Sequence, residues 1–198
     1  YAQGGMEGGN AFADVITGKV TPSGKLTDTW AMRYGDYPSA DTYSHNNGVL
    51  DHEDYFEGIY VGYRWFDAKG LPVRYPFGFG LSYTSFARNV DSVTVHKTAV
   101  TANVTVRNTG NTYRGKEVVQ LYVRDMISSV ATPVRQLKAF EKVPVRAGEK
   151  VTVRLEVPFS ELMFTNERME RVLEPGEFEV QVGSSTDRIH FREKIRIG

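Results

Sequence analysis

From Leu81 to the C-terminus, apolar and polar residues alternate with the two-residue period of strands that bury one face. Val100–Val106, Val118–Val123, Val151–Val157 and Phe178–Val182 follow this period, as do Ile189 and Phe191 with Ile195 and Ile197. Asn108 to Asn111, Ala147-Gly148 and Glu174 to Gly176 carry the turn-forming residues that separate them. No helical period intervenes, although Ser160–Met163 predicts a single helical turn. About seven short strands in this stretch predict an immunoglobulin-like antiparallel β-sandwich.

The chain before Leu81 is patterned differently. Phe12, Val15 and Ile16 recur at helical spacing, which predicts a short helix with Ala11–Thr17 as its body and one buried face. Asn10 is the expected N-cap, and Gly18 falls where a left-handed residue ends a helix. A turn at Thr21–Gly24 leads to Lys25–Trp30, expected to be a strand. One helix and one strand cannot enclose a core, so this region is expected to be the remnant of an α/β layer. Residues 33–54 are polar, Tyr-rich and turn-rich, longer than most connections in compact domains, which marks a candidate binding loop. Tyr55 to Asp67 is densely aromatic and precedes a break at Gly70-Leu71-Pro72.

Composition narrows the function. Lys and Arg total 24 and Asp and Glu total 24, so no field of one sign recruits nucleic acid or an anionic membrane. With no cysteine, disulfides, thiolate metal sites and a thiol nucleophile are excluded. No apolar run is long enough for a transmembrane helix. The chain opens at Tyr1 without an initiator Met or signal-like segment, so any export signal is expected outside this sequence.

Several residue groups bear on chemistry. Asp51, Glu53, Asp54 and Glu57 have the side chains a glycosidase uses, yet nothing in the pattern brackets them with a second sugar-facing wall. Loop solvation, or an ion pair of Glu57 with Arg64, accounts for them. The aromatic run offers either a sugar-stacking platform or apolar glue between the two regions. Glue is the favoured reading, with Trp65 and Phe66 inward and Tyr60, Tyr63 and Arg64 in the same interface. Tyr37, Tyr43 and His45 are the candidates for reaching a substrate cleft. None of His45, His52, His96 and His190 has a metal-ligand spacing. Gly78-Phe79-Gly80 lacks the Lys and helix of a phosphate loop and reads as a tight bend entering the sandwich.

Taken together, these segments resemble a known family. Glu7–Val15 with Pro22–Leu26, Tyr55–Asp67 and Tyr75–Phe86 are similar to three consecutive motifs of glycoside hydrolase family 3, in order and in spacing. Gln120–Asp125, Pro133–Lys142 and Glu174–Gly183 resemble the fibronectin type III-like domain that closes many of these enzymes. The resemblance covers nearly the whole chain. It implies a parent retaining, exo-acting enzyme, chiefly β-glucosidase-like, built from a barrel with an aspartate nucleophile, an α/β sandwich with an acid/base glutamate, and this β-domain. Neither catalytic motif has a counterpart here, so both carboxylates are expected upstream of Tyr1 and the chain alone is expected to be inactive.

The expected layout is residues 1–74 as the C-terminal remnant of the α/β sandwich plus an aromatic linker, and residues 75–198 as the fibronectin type III-like β-sandwich. No cofactor or metal is implied. The implied partners are the missing catalytic domains and an oligosaccharide or glycoside substrate, in a periplasmic or extracellular setting. A stand-alone carbohydrate-binding or adhesion module is the competing expectation; it would display a row of exposed aromatics on the sandwich.

Overall fold

The computed structural model describes residues 4–44, 48, 51, 52 and 54–198. In chain order its regular elements are helix α1 (Gly8–Ile16), strand β1 (Trp30–Ala31), helix α2 (Tyr63–Lys69) and strand β2 (Val73–Tyr75). The long strands β3 (Phe86–Val95), β4 (Ala99–Asn108), β5 (Gly115–Asp125), β6 (Gln136–Val145) and β7 (Lys150–Pro158) follow. A short hairpin, β8 (Phe164–Thr165) and β9 (Arg171–Val172), precedes β10 (Gly176–Ser185) and β11 (Arg188–Ile197).

Two antiparallel sheets form the sandwich: four strands in the order β11-β10-β5-β6, facing three in the order β3-β4-β7. The alternation explains the facing. Val100, Ala102, Val104 and Val106 of β4 point inward, opposite Val119 and Leu121 of β5 and beside Val153, Leu155 and Val157 of β7, all almost completely buried. Each such Val or Leu contributes about 2 kcal/mol on leaving water. At the end of β4 the buried Asn108 acts as a plug. Its amide donates to Tyr113 O (2.8 Å) and Val145 O (3.1 Å), while its oxygen accepts from Gly110 N (3.0 Å) and Thr84 Oγ1 (2.5 Å). Every bonding position of this amide is therefore used, as burial demands.

The five strands whose alternation is explicit are all present. The two that complete the sandwich, β3 and β6, are edge strands. In β3 a bulge between Val90 and Ser92 shifts the period by one residue. β6 carries Lys138, Glu141, Lys142 and Pro144, which suit an edge and blur an apolar period. The turn expected at Ser160–Met163 is a 3-10 turn over Phe159–Glu161.

The N-terminal region departs from expectation in three places. Helix α1 starts at Gly8 with Glu7 at its N-cap, and Asn10 lies inside the first turn, where its amide donates to Glu7 Oε2 at 2.7 Å. Of its expected buried face, Phe12 is 52% and Ile16 62% exposed while Val15 is half-buried. The described residues supply no second layer above it. Lys25–Trp30 is not a strand either. Only Trp30 and Ala31 join a ladder, pairing with Tyr75 and Val73 of β2, while Leu26 N donates to Phe79 O and Leu26 O accepts from Gly78 N, both at 2.8 Å. Within 33–54, residues Tyr34–Asp36 form a 3-10 turn, and turns continue to Ser44.

Candidate functional site

The central strand β5 is covered on both faces. Its inward residues fill the sandwich, whereas Gln120 and Tyr122 on the opposite face are also buried, beneath α2 and the Pro76–Gly80 segment. Tyr63 makes this contact: its ring lies 4.9 Å from Phe77 and 6.1 Å from Tyr122, and its hydroxyl accepts from Leu137 N of β6 at 2.9 Å. The edge-on ring arrangement adds to the apolar burial. Phe77 O accepts from Thr186 N at 3.0 Å, tying the same segment to the β10–β11 turn.

Gly78 has φ +85°, and a Cβ there would lie 2.7 Å from the Gln120 side chain and 2.8 Å from Ser185 Cα. The residue is thus required by conformation and by contact together. Tyr75 packs on Phe79 (4.8 Å) and Trp30 (5.8 Å), so the aromatic seam continues back to β1.

An ion pair crosses the seam. Asp67, near the end of α2, accepts two hydrogen bonds from Arg135, Nε to Oδ2 at 2.7 Å and Nη2 to Oδ1 at 2.9 Å. Both side chains are mostly buried, at 17% and 13% exposed. Arg135 also donates to Gln181 Oε1 (3.3 Å) and lies 5.9 Å from the Tyr122 ring centre. Burial works against its charge, but the bonds and charge of Asp67 outweigh that and raise its pKa. For Tyr122, burial and then Tyr63 push the phenol well up, so it stays a donor, to Gln120 Oε1 at 2.5 Å.

The residues singled out from the sequence separate into two groups. Phe66 is 4% exposed and Trp65 is half-buried, its indole N–H donating to Asp36 O at 2.9 Å under a Lys69 ammonium 5.0 Å from the ring. Tyr60 and Arg64 are half-buried. Tyr37 packs with this group. Its hydroxyl accepts from Ala31 N (3.1 Å) and donates to Thr29 O (3.3 Å), and its ring meets Phe66 edge-on at 5.8 Å. Tyr43, 69% exposed, stands apart: it borders an open cavity of about 360 Å³ with Ser39, Ser44, Asp54, Tyr55 and Glu57.

His45 and Glu53 lie outside the described residues. The expected pairing of Glu57 with Arg64 does not form, because Arg64 sits on α2, close enough to Lys138 for the two charges to interact, while Glu57 borders the Tyr43 cavity. Among the described residues no group of three or more His, Asp or Glu side chains is placed to hold a metal ion.

Sequence reasoning did not find the Asp67–Arg135 pair or the buried outer face of β5. The available signal was Tyr122, an aromatic at a position whose parity assigns it to solvent.

Residues 1–83 match the glycosyl hydrolase family 3 C-terminal domain, and residues 117–186 match the fibronectin type III-like domain. The chain is 40% identical over 188 residues to a beta-glucosidase of Kluyveromyces marxianus, covering 94% of this chain and 22% of that protein. The chain belongs to glycoside hydrolase family 3. It corresponds to the C-terminal portion of such proteins, and spans about a quarter of the length of the relatives it matches. A periplasmic beta-glucosidase of Salmonella typhimurium is 40% identical over 189 residues, covering 93% of this chain and 24% of that protein.

Among solved structures, beta-glucosidase 3B of Thermotoga neapolitana in complex with α-D-glucose superposes with a TM-score of 0.92 at 38% identity, covering 99% of this chain and 27% of that one. The family 3 chain is mainly β, with its fibronectin type III-like sandwich behind a short α/β remnant, and no helix among the described residues is long and apolar enough to cross a membrane.

Proposed function

We propose that this chain is the non-catalytic C-terminal portion of a retaining, exo-acting β-glycosidase, β-glucosidase-like, that removes terminal β-linked sugars. The observation that carries the reading is the paired domain match, a family 3 C-terminal domain followed by a fibronectin type III-like domain, within about a quarter of the length of beta-glucosidase relatives. In this reading α1 presents Ile16 to the missing part of the α/β layer. The sandwich stabilises the catalytic domains through the aromatic seam, and the division between the two units falls between residues 74 and 75. Tyr43, in its exposed cavity with Tyr55, is the described residue best placed for a cleft rim. Export to the periplasm or outside the cell fits the Salmonella relative's name.

Retaining hydrolysis needs two carboxylates about 5 Å apart on either side of the scissile bond. Asp54 and Glu57 border the open Tyr43 cavity, so they are the groups to test. The purified chain with a chromogenic β-glucoside is expected to show no turnover above buffer. Turnover abolished by Glu57→Gln would assign catalysis to this chain and overturn the reading.

A further inference from the structure

The sandwich is not closed by strand pairing where its edge strands β3 and β11 approach one another. At that corner lies a cavity of about 370 Å³, lined from several elements: Lys25 of the N-terminal region, Arg88 of β3, Lys116 and Glu117 of β5, Ser184 of β10, and Arg188 and His190 of β11. Its charges are unequal. Four cations meet one carboxylate, in a chain whose total charge is balanced.

Glu117 is 4% exposed overall and is held by Arg88 Nη2 at 2.9 Å and Lys25 Nζ at 3.5 Å. This fixes the two inner cations in place while neutralising only one of them. Arg88 Nη1 donates to Phe86 O at 3.2 Å, but its buried Nε–H has no acceptor. Lys116 and Arg188 are exposed and have no carboxylate partner among the described residues. His190, 3.4 Å from Ser184 Oγ through Nε2, has its pKa lowered by burial and then by Arg88, against the opposite pull of Glu117. The cavity's surplus charge is thus felt by a neighbouring titratable group. A buried N–H without an acceptor is costly, and a guanidinium fork matches oxyanions geometrically.

We propose that this corner binds an oxyanion, free or carried as the carboxylate of an acidic sugar, with Arg88, Arg188 and Lys116 as its cationic partners and the Ser184 hydroxyl as a further donor. Partial enclosure strengthens the attraction relative to open water. The inference stands independently of the glycosidase reading, because no residue in it belongs to the seam or to the Tyr43 cavity.

Backbone-amide NMR titration of the full chain tests it, with inorganic phosphate, sodium glucuronate, glucose, and sodium chloride at matched ionic strength. Phosphate or glucuronate is expected to shift the Ser184, Arg188 and His190 signals saturably at millimolar concentration, whereas glucose and chloride leave them in place. Stronger binding of phosphate identifies the free ion as the ligand, and stronger binding of glucuronate the acidic sugar. Arg188→Ser, at an exposed position with no carboxylate partner, is expected to leave the melting temperature unchanged and weaken binding about tenfold. The proposal is overturned if neither anion saturates, if chloride reproduces the shifts, or if the Lys116→Ser/Arg188→Ser variant binds as tightly as the parent.

Discussion

Residues 86–197 and residues 4–83 bury their apolar side chains in different ways. The sandwich uses two sheets that face each other, so Val104, Leu121, Leu155 and Val180 exclude water among themselves. The N-terminal region has one short helix face exposed, a two-residue ladder, and side chains whose partners lie on another element: Tyr63 on Tyr122, and Asp67 on Arg135. The first region is held by its own core, the second by what it docks on. Loss of the sandwich should therefore release both, whereas loss of the seam should release only one.

The strongest challenge to this contrast is Leu121→Ala. It opens a cavity between the sheets and is expected to cost about 3 kcal/mol of global stability, seen as a single shifted transition in denaturant unfolding by both tryptophan fluorescence and circular dichroism. Both tryptophans, Trp30 and Trp65, lie in the N-terminal region, so coincident transitions mean that it falls with the sandwich.

Arg135→Met is the complementary change. It strands the mostly buried Asp67 carboxylate and is expected to cost about 2 kcal/mol, below the usual range for a fully buried pair because both groups retain some exposure. Here the fluorescence transition should move to lower denaturant while the strand signal in circular dichroism stays near the parent midpoint. Coincident movement of both would mean that the two regions share one cooperative unit.

Tyr63→Phe is the mildest of the three. It keeps both ring contacts but leaves Leu137 N without its hydroxyl acceptor, at an expected cost of about 1 kcal/mol, measurable as faster exchange of that one amide.

These contrasts also explain what could be read from the sequence. Strands β4, β5, β7, β10 and β11 were legible because one face of each meets the opposite sheet, which imposes a clean period of two. β3 and β6 were not, because a bulge between Val90 and Ser92 shifts the period of one and Lys138, Glu141, Lys142 and Pro144 blur that of the other. Asn10 carried the standard capping signal, yet α1 begins at Gly8, two residues before it. In the aromatic run Tyr63 and Phe66 pack against other rings while Tyr55 and Phe56 are exposed, and the surface that Tyr63 meets was not legible. The outer face of β5 carries the polar side chains Gln120 and Tyr122, which pass for solvent-facing residues until α2 is seen above them. Arg135 and Asp67 are 68 residues apart, and only the docked fold brings them together.

Native-state hydrogen exchange on the full chain tests the central claim most directly. Amides in β4, β5 and β10 are expected to exchange only through global unfolding, while Leu26, Leu71 and Gly78, bonded to Phe79 O, Phe66 O and Leu26 O, open at lower free energy, and Arg135→Met lowers the second set alone. If all of these amides share one opening free energy in the parent, or fall together in the variant, the N-terminal region is not a docked layer and the account is contradicted.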